Sequence, residues 1–307
     1  AMYDMGKKAA TGVLNIGKFS MDVGMAFDSS MSKVAAISGA TGDDLDFLTE
    51  KAQELGEKTK FSASEAADAF TYMAMAGWKT DEMLGGIEGI MNLAAASGEN
   101  LASVSNIVTD AITAFGLSAE NSGHFADVLA AASNSANTNV SMLGGSFKYV
   151  APVAGALGYS IEDVSVALGL MANSGIKAEQ AGTAMRSMLT RLAKPTKEVY
   201  SAFETLGISA EDALTNADGS MKPLSETIGI LREKMSGLSE TEQASAAASI
   251  AGQEAMSGLL AIVNASNQDF EKLTSSIANA DGTAQGMADT MNDNLPGAIT
   301  ILKSTME

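Results

Sequence analysis

Apolar residues recur at helical spacing through most of the chain after residue 43. The first clear run follows Ser62 and Glu65, which are spaced as a capping box at a helix start. Its apolar positions follow the i, i+3, i+4, i+7 order that places them on one helix face. They are Ala66, Ala69, Phe70, Met73, Ala74 and Gly77. The pattern predicts an amphipathic helix whose apolar face is buried.

Four later stretches repeat this pattern. Asn100 and Ser160 are placed to cap the first two helices, Gly116 ends the first, and Pro195 stops the third. Ser239 begins a second capping box. The apolar positions are Leu101, Val104, Val108, Ala111, Ile112 and Phe115; Val164, Ala167, Leu168, Met171, Ala172 and Gly175; Met185, Met188, Leu189 and Leu192; and Leu224, Ile228, Leu231, Met235 and Leu238. With no strand-like run, the sequence predicts an all-α, compact multi-helix module whose apolar stripes form its core.

Two segments are similar to each other at a fixed offset. Residues 62–79 and 160–177 share six identical positions, 98 residues apart, and their apolar positions coincide. Residues 115–120 and 206–211 are also similar, at an offset of 91. We interpret this as a diverged duplication of a helical unit. The alternative is chance similarity between alanine-rich helices.

The predicted organisation has four parts. An amphipathic N-terminal arm covers 1–40, the first helical repeat 41–137, and the second repeat with its extension 138–285. A C-terminal helix begins in 286–307 and is expected to continue beyond it. The first and last residues do not coincide with the ends of predicted elements, so we expect the chain to be a piece of a longer protein.

Charge separates the arm from the rest of the chain. The formal net charge is −18, of which residues 1–40 carry +1 and the remainder −19. The arm is rich in glycine, and its apolar residues, among them Ile16, Phe19, Val23 and Phe27, do not share one face. We expect a helix that is ordered only against something else. The alternatives are packing on the following domain and binding of a partner or a membrane. We predict that the arm is mobile or loosely packed in the isolated monomer.

Composition excludes several classes of site. The absence of cysteine excludes disulfides, thiolate metal sites and cysteine nucleophiles, and a single histidine, His124, excludes two-histidine metal sites. Only three of the 19 basic residues are arginines, namely Arg186, Arg191 and Arg232, and the acidic excess argues against a sequence-specific nucleic-acid binder. No apolar run is long enough to span a membrane, and no signal peptide is present.

Catalytic motifs are absent or incomplete. Residues 12–19 approach the phosphate-binding GxxxxGK[ST] pattern, but Phe19 stands where a hydroxyl is needed. Asn216 and Asp218 suggest a calcium loop that lacks its end ligands, so a turn between helices is expected. His124 is expected to be a partly exposed structural residue near a helix start, and Trp78 a core anchor. We therefore predict no catalytic, cofactor-binding or metal-binding residues, no cofactor, and no enzyme activity.

Several stretches together resemble the core region of phage tail tape measure proteins of the lactococcal-phage type. They include residues 27–41, 55–67, 149–154, 172–177 and 218–225, and the most specific is 181–186 with 192–195. The likeness begins near residue 27 and extends to the C-terminus. Arg186 belongs to it only as part of a structural motif, and the family has no catalytic residues to transfer.

The resemblance implies a structural protein of a phage, prophage or phage-like tail. Such a protein sets tail length while the tube assembles around it, and it leaves the tube at genome ejection. The implied partners are the tail tube protein, tail assembly chaperones, tail tip proteins and further copies of the chain. The implied locations are the tail lumen and, during assembly, the host cytoplasm. The arm would then be held by another copy or by the tube. The alternative is a membrane-active or envelope-penetrating module that contacts the membrane at ejection.

Overall fold

The computed structural model describes residues 22–293 together with Ile301 and Ser304. This part of the chain is all-α, as predicted, with one isolated antiparallel bridge between Thr215 and Met221. The helices are α1 (22–38), α2 (Asp43–Lys58), α3 (Ala63–Met75), α4 (Thr80–Ser97), α5 (Leu101–Phe115), a 3₁₀ turn (Ala119–Asn121), α6 (Ser122–Ser135), α7 (Val140–Ala156), α8 (Ile161–Asn173), α9 (Ala178–Ala193), α10 (Lys197–Thr205), α11 (Ala210–Leu214), α12 (Leu224–Met235), α13 (Glu240–Ala251), α14 (Met256–Val263), α15 (Asn267–Ala278) and α16 (Thr283–Asn292).

Successive helices alternate between two rows. From α3 to α9, each helix packs against a helix two places away in the chain, because the short loops reverse the chain at every step. The odd row contains α3, α5, α7 and α9, extended by α2 at one end and α13 at the other. The even row contains α4, α6 and α8. The hydrophobic core runs between the rows.

The last helices run back along the even row toward the start of the chain. Helix α14 packs on α8, α15 on α8 and α6, and α16 on α6 and α4. Ser304 lies buried at the α2–α3 turn, with its hydroxyl 2.6 Å from the carbonyl oxygen of Gly56 and in contact with that of Phe61. We call α14, α15 and α16, with Ile301 and Ser304, the return segment.

The predicted helix starts are confirmed by their caps. Ser62 and Glu65 form the predicted capping box at the start of α3. Asn100 and Ser160 accept hydrogen bonds from backbone N–H groups at the starts of α5 and α8. Glu242 accepts from the backbone N–H of Ser239 at 2.9 Å at the start of α13. These side chains occupy the free donors of a first helical turn, which is why the starts could be predicted locally.

Helix α8 differs from the prediction of one apolar face, because it is buried on nearly all sides. Ser165, Val166 and Leu170 are buried as well as the predicted stripe from Val164 to Ala172. Helix α8 is surrounded by α6, α7, α9, α12, α14 and α15. A Cβ on Gly169 would lie 2.5 Å from a methyl of Leu273, so this glycine admits α15. The return segment covers the face that the sequence pattern left open.

The two similar segments form helices of equal length with equal ends. Both α3 and α8 have 13 residues, a serine cap, and a closing glycine with positive φ at Gly77 and Gly175. Phe70, Met73, Leu168 and Met171 are all buried, whereas Gly77 and Gly175, which were predicted to continue these faces, are exposed. Their neighbours differ, because α3 packs chiefly on α2 and α5, whereas α8 is central. The duplication stays a prediction.

The described part of the arm is the single helix α1. Met31 and Val34 are buried against the core, and the Ser30 hydroxyl donates to Asp68 at 3.1 Å. Met25 and Ile37 are exposed. Ile16 and Phe19 lie outside the described residues, as does the whole 12–19 motif. The predicted mobility of the arm and its contact with a partner stay predictions.

The predicted domain boundaries also stay predictions. The boundary at 137 and 138 falls in the loop between α6 and α7, whereas that at 285 and 286 falls inside α16. Buried side chains from both predicted repeats belong to one hydrophobic core. No helix in the described part of the chain is long and apolar enough to cross a membrane.

Candidate functional site

His124 joins three parts of the molecule that are distant in sequence. It lies in the first turn of α6, as predicted, and its side chain is 40% exposed. Nε2 lies 2.6 Å from a carboxylate oxygen of Glu162 on α8. Nδ1 lies 2.8 Å from Asp281, in the turn between α15 and α16. The site therefore fixes the return segment to the even row.

The hydrogen bonds at this site shift the pKa values of His124 and Glu162 in opposite directions. The hydrogen bond to Glu162 raises the pKa of His124, burial opposes it, and the bond to Asp281 adds to the rise. Burial would raise the pKa of Glu162, but the hydrogen bond from His124 and a backbone bond outweigh it, so that pKa is lowered. These contacts favour the charged forms of His124 and Glu162. Glu162 lies 38 residues from His124, and nothing near either residue in the sequence indicated this contact.

A second polar contact fixes the start of α16. Asp127, one turn after His124, accepts hydrogen bonds from the backbone N–H groups of Gly282 at 2.9 Å and Ala284 at 2.8 Å. A carboxylate at a helix N-terminus satisfies free donors and interacts favourably with the helix dipole. Gly282 has a φ of +80°, which allows the tight entry into the helix.

An open groove with exposed apolar residues on its rim lies beside Trp78. Its volume is about 700 Å³, and it is formed by the end of α1 and the starts of α2 and α4. Trp78 is buried beneath it, as predicted for a core anchor, while Ile37 and Phe47 on its rim are 45% and 54% exposed. Exposed apolar side chains that lie together are typical of contact sites.

The three arginines are committed to structural contacts. The Arg186 guanidinium lies 6.0 Å from the ring centre of Tyr149. Arg191 donates to the carbonyl oxygen of Ser249 at 2.8 Å, and Arg232 donates to that of Ile262 at 2.8 Å. These two bonds satisfy carbonyls at the ends of α13 and α14. Arg191 and Arg232 therefore stabilise helix ends, whereas Arg186 is exposed.

The suspected calcium loop is a tight turn, as expected. Asp218 accepts from the backbone N–H of Ser220 at 2.9 Å and from its hydroxyl at 2.6 Å, while the Asn216 side chain donates within the same loop. Among the described residues, no group of three or more metal-ligating side chains is placed to hold a metal ion.

The sequence was compared with known proteins. Residues 49–252 match the family described as "Phage-related minor tail protein". The "Tape measure protein" of Pneumococcus phage Dp-1 is 39% identical over 311 residues, which cover 100% of this chain and 27% of that protein. The "Probable tape measure protein" of Escherichia phage P2 is 27% identical over 327 residues, which cover 99% of this chain and 39% of that protein.

No solved structure matches the chain. The chain spans well under half the length of either of the two tape measure relatives. Both comparisons confirm the resemblance to tape measure proteins that the sequence motifs indicated. Since the matched family covers more than half of the residues, the chain belongs to the phage-related minor tail proteins.

Proposed function

We propose that this chain is a folded module of a tail tape measure protein, which sets tail length during tube assembly and is released at genome ejection. The similarity along the whole chain to the tape measure protein of phage Dp-1 is the observation that carries the proposal. The proposed role is structural, which the match to the minor tail protein family supports.

The fold indicates which part of the measuring task this module performs. A continuous helix of 307 residues would be ~460 Å long at ~1.5 Å per residue. The longest described helix, α4, has 18 residues and therefore spans only ~27 Å. Because the helices stack in two rows and return on themselves, the folded module adds little length. We infer that the measuring length is supplied by parts of the protein outside these residues.

The proposed partners follow from the tail context. They are the tail tube protein, tail assembly chaperones, tail tip proteins and further copies of the chain. The proposed location is the tail lumen, with the host cytoplasm as the site of assembly.

Tail length measured by electron microscopy tests the proposal. In the phage gene that encodes the chain, an in-frame deletion of about 100 residues outside this module should shorten tails by ~150 Å. Destabilising the module should reduce the number of tails and leave the length of the remaining ones unchanged.

Two results would contradict the proposal. Unchanged tails after the outside deletion would remove the measuring role. Tails that shorten when the module is destabilised would make the module itself part of the measure.

Co-purification of the chain with tube subunits, compared with its co-sedimentation with anionic vesicles, separates the tail role from a membrane-active one. Binding to vesicles without tube subunits would favour the latter.

A further inference from the structure

The contacts of His124 require a charged imidazole ring. Both ring nitrogens lie within hydrogen-bond distance of carboxylate oxygens, at 2.6 Å and 2.8 Å. A neutral imidazole has one N–H donor and one acceptor nitrogen, whereas the cation has two donors. Only the cation can donate to Glu162 and Asp281 together. In the neutral form one carboxylate faces a nitrogen lone pair.

The two carboxylates differ in how readily water can replace the histidine. The Asp281 side chain is 87% exposed, whereas that of Glu162 is 36% exposed. A well-hydrated carboxylate loses less when it gives up a hydrogen bond. When the ring loses a proton, we therefore expect it to keep Glu162 and to release Asp281.

Asp281 lies two residues before α16, which packs on α4 and α6 mainly through small side chains. The buried side chains of α16 are the small ones of Ala284 and Ala288, and Met287 is partly buried. Burying two methyl groups stabilises a contact far less than burying leucine-sized side chains. Its docking on α4 and α6 thus depends strongly on the polar contacts at its first turn.

We propose that protonated His124 helps to hold the N-terminal end of α16 on the even row, and that this end is released more readily when His124 is neutral, while Asp127 continues to bind its backbone. This goes beyond the proposed tail role and does not depend on it. Release uncovers the surfaces of α4 and α6 that α16 covers. The neighbouring α15, which packs on α6 and α8 through Leu273 and Ile277, stays in place.

The charged groups around His124 set the direction of the effect. Glu162 on α8 and Asp281 in the α15–α16 turn both face the imidazole ring. Asp127, on α6 itself, accepts a hydrogen bond from the backbone of Gly282 at the start of α16. In the described part of the chain, no other ionisable side chain pairs with His124.

The stabilising contribution of His124 is complete below its unfolded pKa, near 6.5, and is lost as pH rises through its raised folded pKa. The contribution of Glu162 is complete above its unfolded pKa, near 4.5, and is lost as pH falls through its lowered folded pKa. The docked state is therefore favoured between these two transitions, in mildly acidic solution.

Hydrogen exchange of the 307-residue chain at pH 6 and pH 9, corrected for intrinsic rates, tests the proposal. The opening equilibrium of α16 amides should rise roughly three- to tenfold at pH 9, as expected for loss of a partly exposed ion pair, while α5 amides change little. In Asp281→Ala, α16 should open as readily at pH 6 as the unchanged chain does at pH 9. Glu271→Gln, an exposed carboxyl change on α15, is the matched control and should behave as the unchanged chain.

The single histidine allows a second measurement by NMR. Its ring signal needs no assignment, and its pKa should fall in Asp281→Ala. Equal α16 protection at both pH values, or an Asp281→Ala variant that matches the unchanged chain, would overturn the proposal. If α5 protection were lost together with that of α16, the helix would not be a separate unit and the proposal would also fail.

Discussion

Gly89 on α4 lies where α4 and α6 approach most closely, and its replacement by alanine tests the packing of the even row. A Cβ at this position would lie 2.7 Å from the Cα atom of Gly123 and 3.2 Å from its backbone nitrogen. Ordinary contacts begin near 3.4 Å. The two helices would therefore have to separate by about 0.7 Å, and a close-packed interior transmits that shift.

The expected magnitude combines two opposing effects. Overpacking of this kind costs about 1–3 kcal/mol, and the atoms in the way are backbone, which cannot rotate aside. Alanine in place of glycine within a helix stabilises it by about 1 kcal/mol. We expect Gly89→Ala to lower the free energy of unfolding by up to about 2 kcal/mol.

Gly85, one turn earlier on the same helix, is the matched control. A Cβ there meets no atom within 4 Å, so Gly85→Ala should raise the free energy of unfolding by about 0.5–1 kcal/mol. Urea unfolding followed by far-UV circular dichroism measures both variants against the unchanged chain. If Gly89→Ala were as stable as Gly85→Ala, the close approach of α4 and α6 would be refuted.

Three further substitutions test other parts of the fold. Leu168→Ala, in the centrally placed α8, should lower the free energy of unfolding by about 2–5 kcal/mol, and a urea midpoint close to that of the unchanged chain would contradict the burial of α8. Ser62→Ala should cost about 0.5–2 kcal/mol and speed amide exchange in the first turn of α3; unchanged exchange there would argue against the capping box. Arg191→Met keeps the apolar stem but removes the bonds to the end of α13, so its melting temperature should fall, whereas Lys194→Met at an exposed position should leave it unchanged.

The helix starts and apolar faces could be predicted because their causes are local. A cap and the N–H groups it satisfies lie within three residues, as at Ser62 and Asn100, and an apolar face repeats every turn. The buried residues of α3 and α5 therefore agree with the sequence pattern. The same holds for Trp78, whose position after Gly77 indicated an anchor at a helix end.

The partners of these elements could not be predicted, since they are distant in sequence. His124 contacts residues 38 and 157 positions away, and neither Glu162 nor Asp281 carries a local mark of that contact. The burial of α8 on all sides depends on helices that come up to 100 residues later. Gly169 was unremarkable in the sequence, although it is what lets Leu273 approach.

Helix α7 shows a further limit of local signals. Pro152 lies inside it, although proline usually ends a helix because it lacks an N–H donor and crowds the preceding turn. Ala151 and Ala154 around it are fully buried against neighbouring helices. Tertiary packing thus maintains a helix that its own sequence would interrupt.

The contact between Ser304 and Gly56 joins residues 248 positions apart, and this has a consequence for synthesis of the chain. At a translation rate of about 5–20 residues per second, roughly 12–50 s separate the emergence of the two residues from the ribosome. During that interval α4 and the α2–α3 turn lack the cover of the return segment. The rows can form as each helix emerges, because their contacts are short-range, but closure waits for the last residues. The nascent chain therefore presents apolar helix faces for tens of seconds, which makes it a natural client for proteins that hold unfinished chains.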